Sequence, residues 1–535
     1  MLSYNSYIVR ILICLSCINL IGGCKTPEKR VENYLHASIH RNQYLTFNPE
    51  TMKMAMRIRL NSPNSEWHNY SWLKKYYARH EYEPYFVSHF LAKNQIDTLL
   101  SYLQSAKDHG LKSSFYHYQE IDSLYRKLKI GKLSAINAYM ALSELELVTA
   151  ASLGTYSHDL SFGRIDPGKL YTVRFSLKFK HPDSSFYDAV FLAPELHHYL
   201  QQIQPKNLNY RRLKDTLVWF RQQSGSWSGS HPLNYYIGSL KVNMERLRWQ
   251  PADTSSSYLL VNIPDYTLYA IESNKISWSM KVCLGEKKET GYDDKLKNYA
   301  LTGNIDDRPS NHQTPLLNSQ FNFIQLNPKW NVPSSILQNE LYYKLRKNPE
   351  YLAENNMKLF KGNKEVGRLD TIDWTRIPRN KIPFHIKQDA GEYNALGKLK
   401  FSFLNPYSIY LHDTPNKSAF NLKVRDVSHG CVRVSDPLKL AAYLGRFNGK
   451  NTVDIIRIGI GMTPIDTTSK FKLLYIKKQQ ELASNNGKLR TSSIYLKKKT
   501  SLFIQYYTCW VNENGKLSFS DDIYDLDGKI AAALL

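Results

Sequence analysis

The sequence predicts an α+β, multidomain protein in which a helical half is followed by a β-rich half. Three observations predict it. The chain has 535 residues, more than one hydrophobic core usually supports, and at about 150 residues per domain this gives roughly three to four domains. From about residue 65 to 250 apolar residues recur at i, i+3 and i+4, the spacing of one helix face. After Trp249-Gln250-Pro251 the pattern changes to short runs of β-branched and aromatic residues separated by turns. With 42% hydrophobic and 22% charged residues, the composition is globular and excludes a collagenous or low-complexity chain.

Residues 1–23 read as an export signal. A lone basic residue, Arg10, precedes an apolar run from Ile11 through Ile21, and the text turns polar at Lys25-Thr26-Pro27. The run is too short for a comfortable transmembrane helix. Its end, Ile21-Gly22-Gly23-Cys24, resembles the bacterial lipobox, in which cleavage leaves the cysteine as a lipidated N-terminus. An ordinary signal peptide or a short anchor helix is the alternative. Lipidation at Cys24 implies a location in the cell envelope, lipid-anchored and facing the periplasm, with residues 24–64 as tether. Lys plus Arg exceed Asp plus Glu by 24, a field that favours anionic partners. Export makes nucleic acid an unsuitable one and leaves membrane surface or an anionic wall polymer.

Residues 65–250 read as a helical packing domain. Asp97 is placed to cap a helix carrying Leu99, Leu100, Leu103 and Ala106, closed by His109-Gly110. A longer helix is expected from Ser134 to Tyr156, with Ala138, Leu142, Leu145, Val148 and Ala151 near one face. In the β-rich half, 251–460, the runs Tyr258–Ile263, Tyr266–Ile271 and Ser277–Val282 predict an antiparallel meander across Pro264-Asp265 and Ser273-Asn274-Lys275. Gly285 to Leu316 is polar and reads as a long irregular loop. A helical insertion follows Trp330, because Pro333-Ser334-Ser335 can start a helix through Leu345. Strands resume at Leu399–Leu404 and Ser408–His412. Residues 461–535 read as a basic linker, Ser469 to Thr500, and a C-terminal hairpin of Leu502–Val511 and Lys516–Phe519 across Asn514-Gly515.

The chemistry concentrates between Ile409 and Pro437, IYLHDTPNKSAFNLKVRDVSHGCVRVSDP. His412 ends an apolar strand before a turn, and Ser428-His429-Gly430-Cys431 forms a Gly-containing turn before the strand Val432–Val434. A cysteine nucleophile needs a base or imidazolium, since a thiol of pKa about 8.5 is only slightly ionised at neutral pH. It also needs donors for an oxyanion, which backbone N–H groups around Gly430 and Cys431 can supply. Arg433 adds a cation suited to a substrate carboxylate. Singly, a cysteine is more often a small buried hydrophobe and a histidine a hydrogen-bonded structural group; together they form a reactive pattern. A metal site is disfavoured, because no second ligand follows at zinc spacing, His197-His198 are adjacent, and His80-Glu81 lacks the partner histidine of HExxH. No cofactor is expected.

IYLHDTP, followed by SHGCVRV with its cysteine 19 positions after His412, resembles the signature of the L,D-transpeptidases of bacterial peptidoglycan, the YkuD-type catalytic domain. VNMERLRW from Val242, LLVNIPDYTLY from Leu259, LNPKWNVPSSI from Leu326 and NALGKLKFSFLNPYSIYLHDTP from Asn394 are similar to the large, YcbB-type members. So are YARHEYEPYF near Arg79 and SAKDHGLKSSFYH near His109 in the helical half. The resemblance implies a β-sandwich-like catalytic domain with a helical capping insertion, about 330–397, beside an α-helical scaffold domain. It implies Cys431 as the acylated nucleophile and His412 as the base, with His429 and Gly430 shaping the turn and oxyanion hole. Arg433, Tyr410 and Trp330 become substrate-side positions. The implied reaction releases D-alanine from a stem tetrapeptide and joins two meso-diaminopimelate residues in a 3→3 cross-link, with carbapenem-type compounds as inhibitors.

Two features depart from the large members. Gln204 to Gly238 leaves too little chain for their compact wall-binding module, and the polar stretch after Gly285 is longer than expected. Within the same residues an L,D-carboxypeptidase or another cysteine acyl hydrolase of the wall is the alternative, and a non-catalytic wall-binding lipoprotein is the alternative of another class. Cys283 and Cys509 lie in strand-like runs and read as packed, or paired with each other.

Overall fold

The computed structural model describes residues 47–62, 70–91, 93–171, 174–192, 195–223, 230–252, 255–485, 487 and 489–535, with isolated positions between 29 and 35. Cys14, Cys17 and Cys24, and with them the export and lipidation readings, lie outside the described residues. Among those described, no helix is long and apolar enough to cross a membrane. The chain divides into two compact units, one of residues up to 165 with 180–250, the other of 166–179 with 251–533.

The first unit is helical. Its longest helix, Ala135–Phe162, starts where Ser134 accepts the N–H of Asn137 at 3.4 Å. It runs past the expected end at Tyr156 because Ser157, Asp159 and Leu160 are still buried. Pro49–Asn61 and Tyr118–Ile130 pack on it. The carboxylate of Glu146 on this helix is fully buried and accepts the Tyr77 hydroxyl at 2.5 Å and the N–H groups of Tyr85, Phe86 and Val87. Those four donors satisfy a group that would otherwise be costly to bury. Asp97 does not cap its helix. The helix is Ile96–Gln104, and Asp97 sits inside its first turn, accepting from Tyr125 at 3.0 Å and Lys129 at 3.3 Å. Within Gln204–Gly238, the helix Leu208–Gln222 packs on Leu233–Arg248.

The second unit is built on one continuous sheet. The meander Ser257–Asn262, Thr267–Glu272 and Lys275–Gly285 is antiparallel throughout. Around the sheet the order is Leu316–Leu326, Leu399–Phe403, Leu411–His412, Val432–Val434, then the meander in reverse, then Ser501–Gln505. Ser501–Gln505 pairs in turn with Leu316–Leu326, so the sheet closes on itself through that long shared strand. Closure leaves the ring without free edges. Leu259, Val261, Leu268, Phe321, Phe401, Leu411 and Val432 fill the interior, each at most 2% exposed or fully buried.

Four segments differ from expectation. Gly285 to Leu316 contains a helix, Tyr292–Thr302, none of whose residues is buried; without a buried face it has no apolar period to betray it. The segment from Ser469 is no plain linker, since Ser469–Ser484 is helical and Ser492–Tyr495 pairs with Phe323–Leu326. Ser501–Gln505 is a buried member of the main sheet, parallel to Tyr258–Asn262, and the C-terminal hairpin shrinks to Cys509–Val511 with Leu517–Phe519. The insertion after Trp330 is not purely helical. It carries a small antiparallel sheet of Trp330–Asn331, Met357–Lys361, Lys364–Glu365 and His385–Gln388 and its own core around Leu345, Leu352 and Leu359.

Candidate active site

Alternation along two short parallel strands builds the site. Leu411 pairs with Val432 and His412 with Arg433, and the N–H of Val432 donates to the Tyr410 carbonyl at 3.1 Å. Successive side chains of a strand point to opposite faces. Ile409, Leu411, Val432 and Val434 therefore enter the core, while Tyr410, His412, Cys431 and Arg433 line a cleft of about 850 Å³. Lys400, paired with His412 on the neighbouring strand, lines it as well.

His412 is 5% exposed. Its Nδ1–H donates to the backbone carbonyl of Asp413 at 2.5 Å, a tautomer assigned from that contact, which leaves Nε2 with its lone pair. Burial, joined by the charges of Arg433 and Lys400, pushes its pKa down to about 3. The ring is a neutral base. Asp413 fixes the turn in which this happens, accepting from the N–H groups of Lys398 and Thr414 and from the Lys417 ammonium.

Burial also pushes the Cys431 thiol up from its ordinary range. The Tyr410 backbone N–H, the Lys400 ammonium, the Tyr410 hydroxyl and Arg433 oppose that rise without cancelling it. At rest the pair is a thiol and a neutral imidazole. Ionising the thiol then requires proton transfer to a base rather than a standing thiolate.

The turn carrying the cysteine is held from below. Gly430 adopts φ +109°, a conformation that other residues rarely take. Its N–H donates to Ser428 Oγ at 3.2 Å, and Ser428 Oγ donates to the Cys431 carbonyl at 2.6 Å. The Gly430 N–H is thus directed within the turn, toward Ser428. Thr314 Oγ1 donates to the Gly430 carbonyl at 3.0 Å and accepts the Gly285 N–H at 2.9 Å. Gly285 is packed so closely that a Cβ there would lie 1.8 Å from the His312 carbonyl. The Tyr524 hydroxyl completes the support, donating to the Gly285 carbonyl and accepting the Thr314 N–H at 3.1 Å.

Residues 256–464 match the family model of the L,D-transpeptidase catalytic domain, YkuD, and residues 71–217 match that of the Scaffold domain. The chain carries a YkuD-type L,D-transpeptidase domain. With the scaffold domain before it, this is the architecture of the large, YcbB-like members. A Haemophilus influenzae protein named "Putative L,D-transpeptidase" is 28% identical over 340 residues, which are 63% of this chain and 56% of that protein. The match thus spans little more than half the length of that relative.

Within the transpeptidase domain the expected site residues separate into two groups. Cys431, His412, Tyr410, Arg433 and Trp330 all line one cleft. The Nε of Arg433 is buried and makes no hydrogen bond, while the side chain itself lines the cleft. His429 lines the cleft too, but its Nε2 pairs with Glu340 of the insertion, and its ring lies 4.4 Å from that of His312. Sequence reasoning missed Lys400, Thr314, Gly285, Glu340 and Tyr524. For Lys400 a signal existed, since it precedes Phe401 in an alternating strand; the others come from positions whose spacing carries none. Cys283 and Cys509 are buried free thiols, not paired with each other.

Proposed function

We propose that the chain is a peptidoglycan L,D-transpeptidase that forms 3→3 cross-links through a thioester on Cys431. The observation that carries this reading is that His412, its Nδ1–H held by the Asp413 carbonyl, lines the same cleft as Cys431. His412 takes the thiol proton as sulfur attacks the carbonyl at the L-centre of meso-diaminopimelate in the donor stem. The C–N bond to D-alanine breaks, and the proton passes from His412 to the departing amine. The side-chain amine of a second diaminopimelate then attacks the thioester, gives its proton to His412 and releases the cysteine as thiol. Arg433 pairs with a stem-peptide carboxylate, and Tyr410 and Trp330 frame the donor. The net charge of +24 suits an anionic wall, and tethering at Cys24 sets the enzyme in the envelope facing the periplasm.

Incubating the purified chain with disaccharide-tetrapeptides and resolving the products by mass tests this. Cross-linked dimers that have lost D-alanine are the expected product. Free tripeptide alone would make the chain a carboxypeptidase, and the absence of both products would overturn the reading.

A further inference from the structure

The cleft wall holds a second group of chemically competent side chains that the reaction above does not use. His312 and Glu340 each stand far in sequence from His429, yet one ligand atom from each of the three lies within 4.8 Å of the others. His429 Nε2 is hydrogen-bonded to Glu340. The His312 and His429 rings are 4.4 Å apart and tilted by 47°, too steep for stacking and suited to two nitrogens converging on one point. All three are partly exposed and line the cleft, so an ion can reach them from solvent. Behind His312, Nδ1 lies 3.5 Å from Glu286 Oε2, the carboxylate–histidine arrangement that orients metal-bound imidazoles.

We propose that His312, Glu340 and His429 form a divalent transition-metal site of the His₂-carboxylate type, suited to Zn²⁺. Two imidazoles and one carboxylate are a recurrent zinc ligand set, which leaves the fourth position to water. Tetrahedral ligands at zinc distances stand about 3.4 Å apart, and rotation of these partly exposed side chains brings the donors to that spacing. The ion replaces the proton between Glu340 and His429. It binds no sulfur, so the site is distinct from Cys431, although His429 is only two residues away. Glu340 lies in the Leu337–Leu341 turn of the insertion and His429 in the cysteine turn, so a bound ion ties the insertion to the wall of the cleft beside the thiol.

Calorimetric titration of the full chain with Zn²⁺ alone tests the site independently of any turnover. One ion per chain is expected to bind the wild type. Cys431→Ser should bind equally well, while Glu340→Gln and His312→Asn should each weaken binding at least about tenfold, with far-UV circular dichroism verifying that each variant is folded. No stoichiometric binding by the wild type would overturn the proposal. So would loss of binding in Cys431→Ser, or wild-type affinity in whichever of the two ligand variants is folded.

Discussion

His412 donates its Nδ1–H to the carbonyl of Asp413, the next residue in the chain, at 2.5 Å. The contact is to a backbone carbonyl and leaves the other nitrogen its lone pair, in a residue that lines the cleft. A backbone carbonyl holds the tautomer but gives little electrostatic help to an imidazolium, so the ring stays neutral in a buried site that also holds Arg433 and Lys400.

Reactivity of the thiol should follow from that neutrality. Burial raises the Cys431 thiol above its ordinary range, and no imidazolium stands beside it near neutral pH. Alkylation of the native protein by iodoacetamide should therefore accelerate steadily into the alkaline range. A pH-independent plateau between about pH 5 and 7, the mark of a standing thiolate–imidazolium pair, would contradict the assignment.

The same shift makes a stability prediction. The His412 pKa is about 3 when folded against 6.5 ordinarily, so between these values the unfolded chain binds the additional proton. Stability should fall as pH drops through that window, by on the order of 1.4 kcal/mol per unit from this one group, and be indifferent to it above about 6.5. Urea unfolding at about pH 7 and pH 5 should show a smaller loss for His412→Gln than for the wild type. An equal loss in both would mean that the imidazole is not held neutral by the fold.

Much of this site was legible because the strands around it alternate. Leu411 and Val432 announce the core face, and that leaves His412 and Cys431 on the other. The turn SHGC announces its own glycine. What could not be read is everything that reaches the site across the chain. Thr314 meets Gly430 from 116 positions away, Glu340 meets His429 from 89, and Tyr524 meets Gly285 from 239; no local period encodes such contacts. The helix Tyr292–Thr302 was hidden because it buries nothing. Ser501–Gln505 read as half of a hairpin because a fully buried strand shows no alternation to reveal its parallel partner.

Thr314 offers a test of the support beneath the cysteine. Thr314→Val keeps the shape and removes the hydroxyl that joins Gly285 to Gly430. Leaving two buried backbone groups without their partner costs about 1–3 kcal/mol each, so the melting temperature should drop by several degrees. Turnover should drop with it, because the turn that aims Cys431 is loosened. A variant with wild-type melting and wild-type turnover would show that the bridge positions nothing.

Anchoring rests on Ile21-Gly22-Gly23-Cys24. Metabolic labelling with a palmitate analogue should mark the wild-type protein in cells, and Cys24→Ser should lose both the label and membrane association. An unlabelled, soluble wild type would remove the anchor from the account.

Acylation of Cys431 is the claim on which the rest depends. Cys283 and Cys509 are buried, and burial raises both thiols, so among the described cysteines only Cys431 faces the cleft. The measurement is peptide-mapping mass spectrometry after exposure to a carbapenem, with an acid-quenched tetrapeptide donor in parallel. A single adduct on Cys431 is expected from both reagents. Cys431→Ala should carry none and be inactive, and His412→Ala should acylate about 10²-fold to 10⁴-fold more slowly. An adduct on Cys283 or Cys509, or cross-linking that persists in Cys431→Ala, would contradict the account.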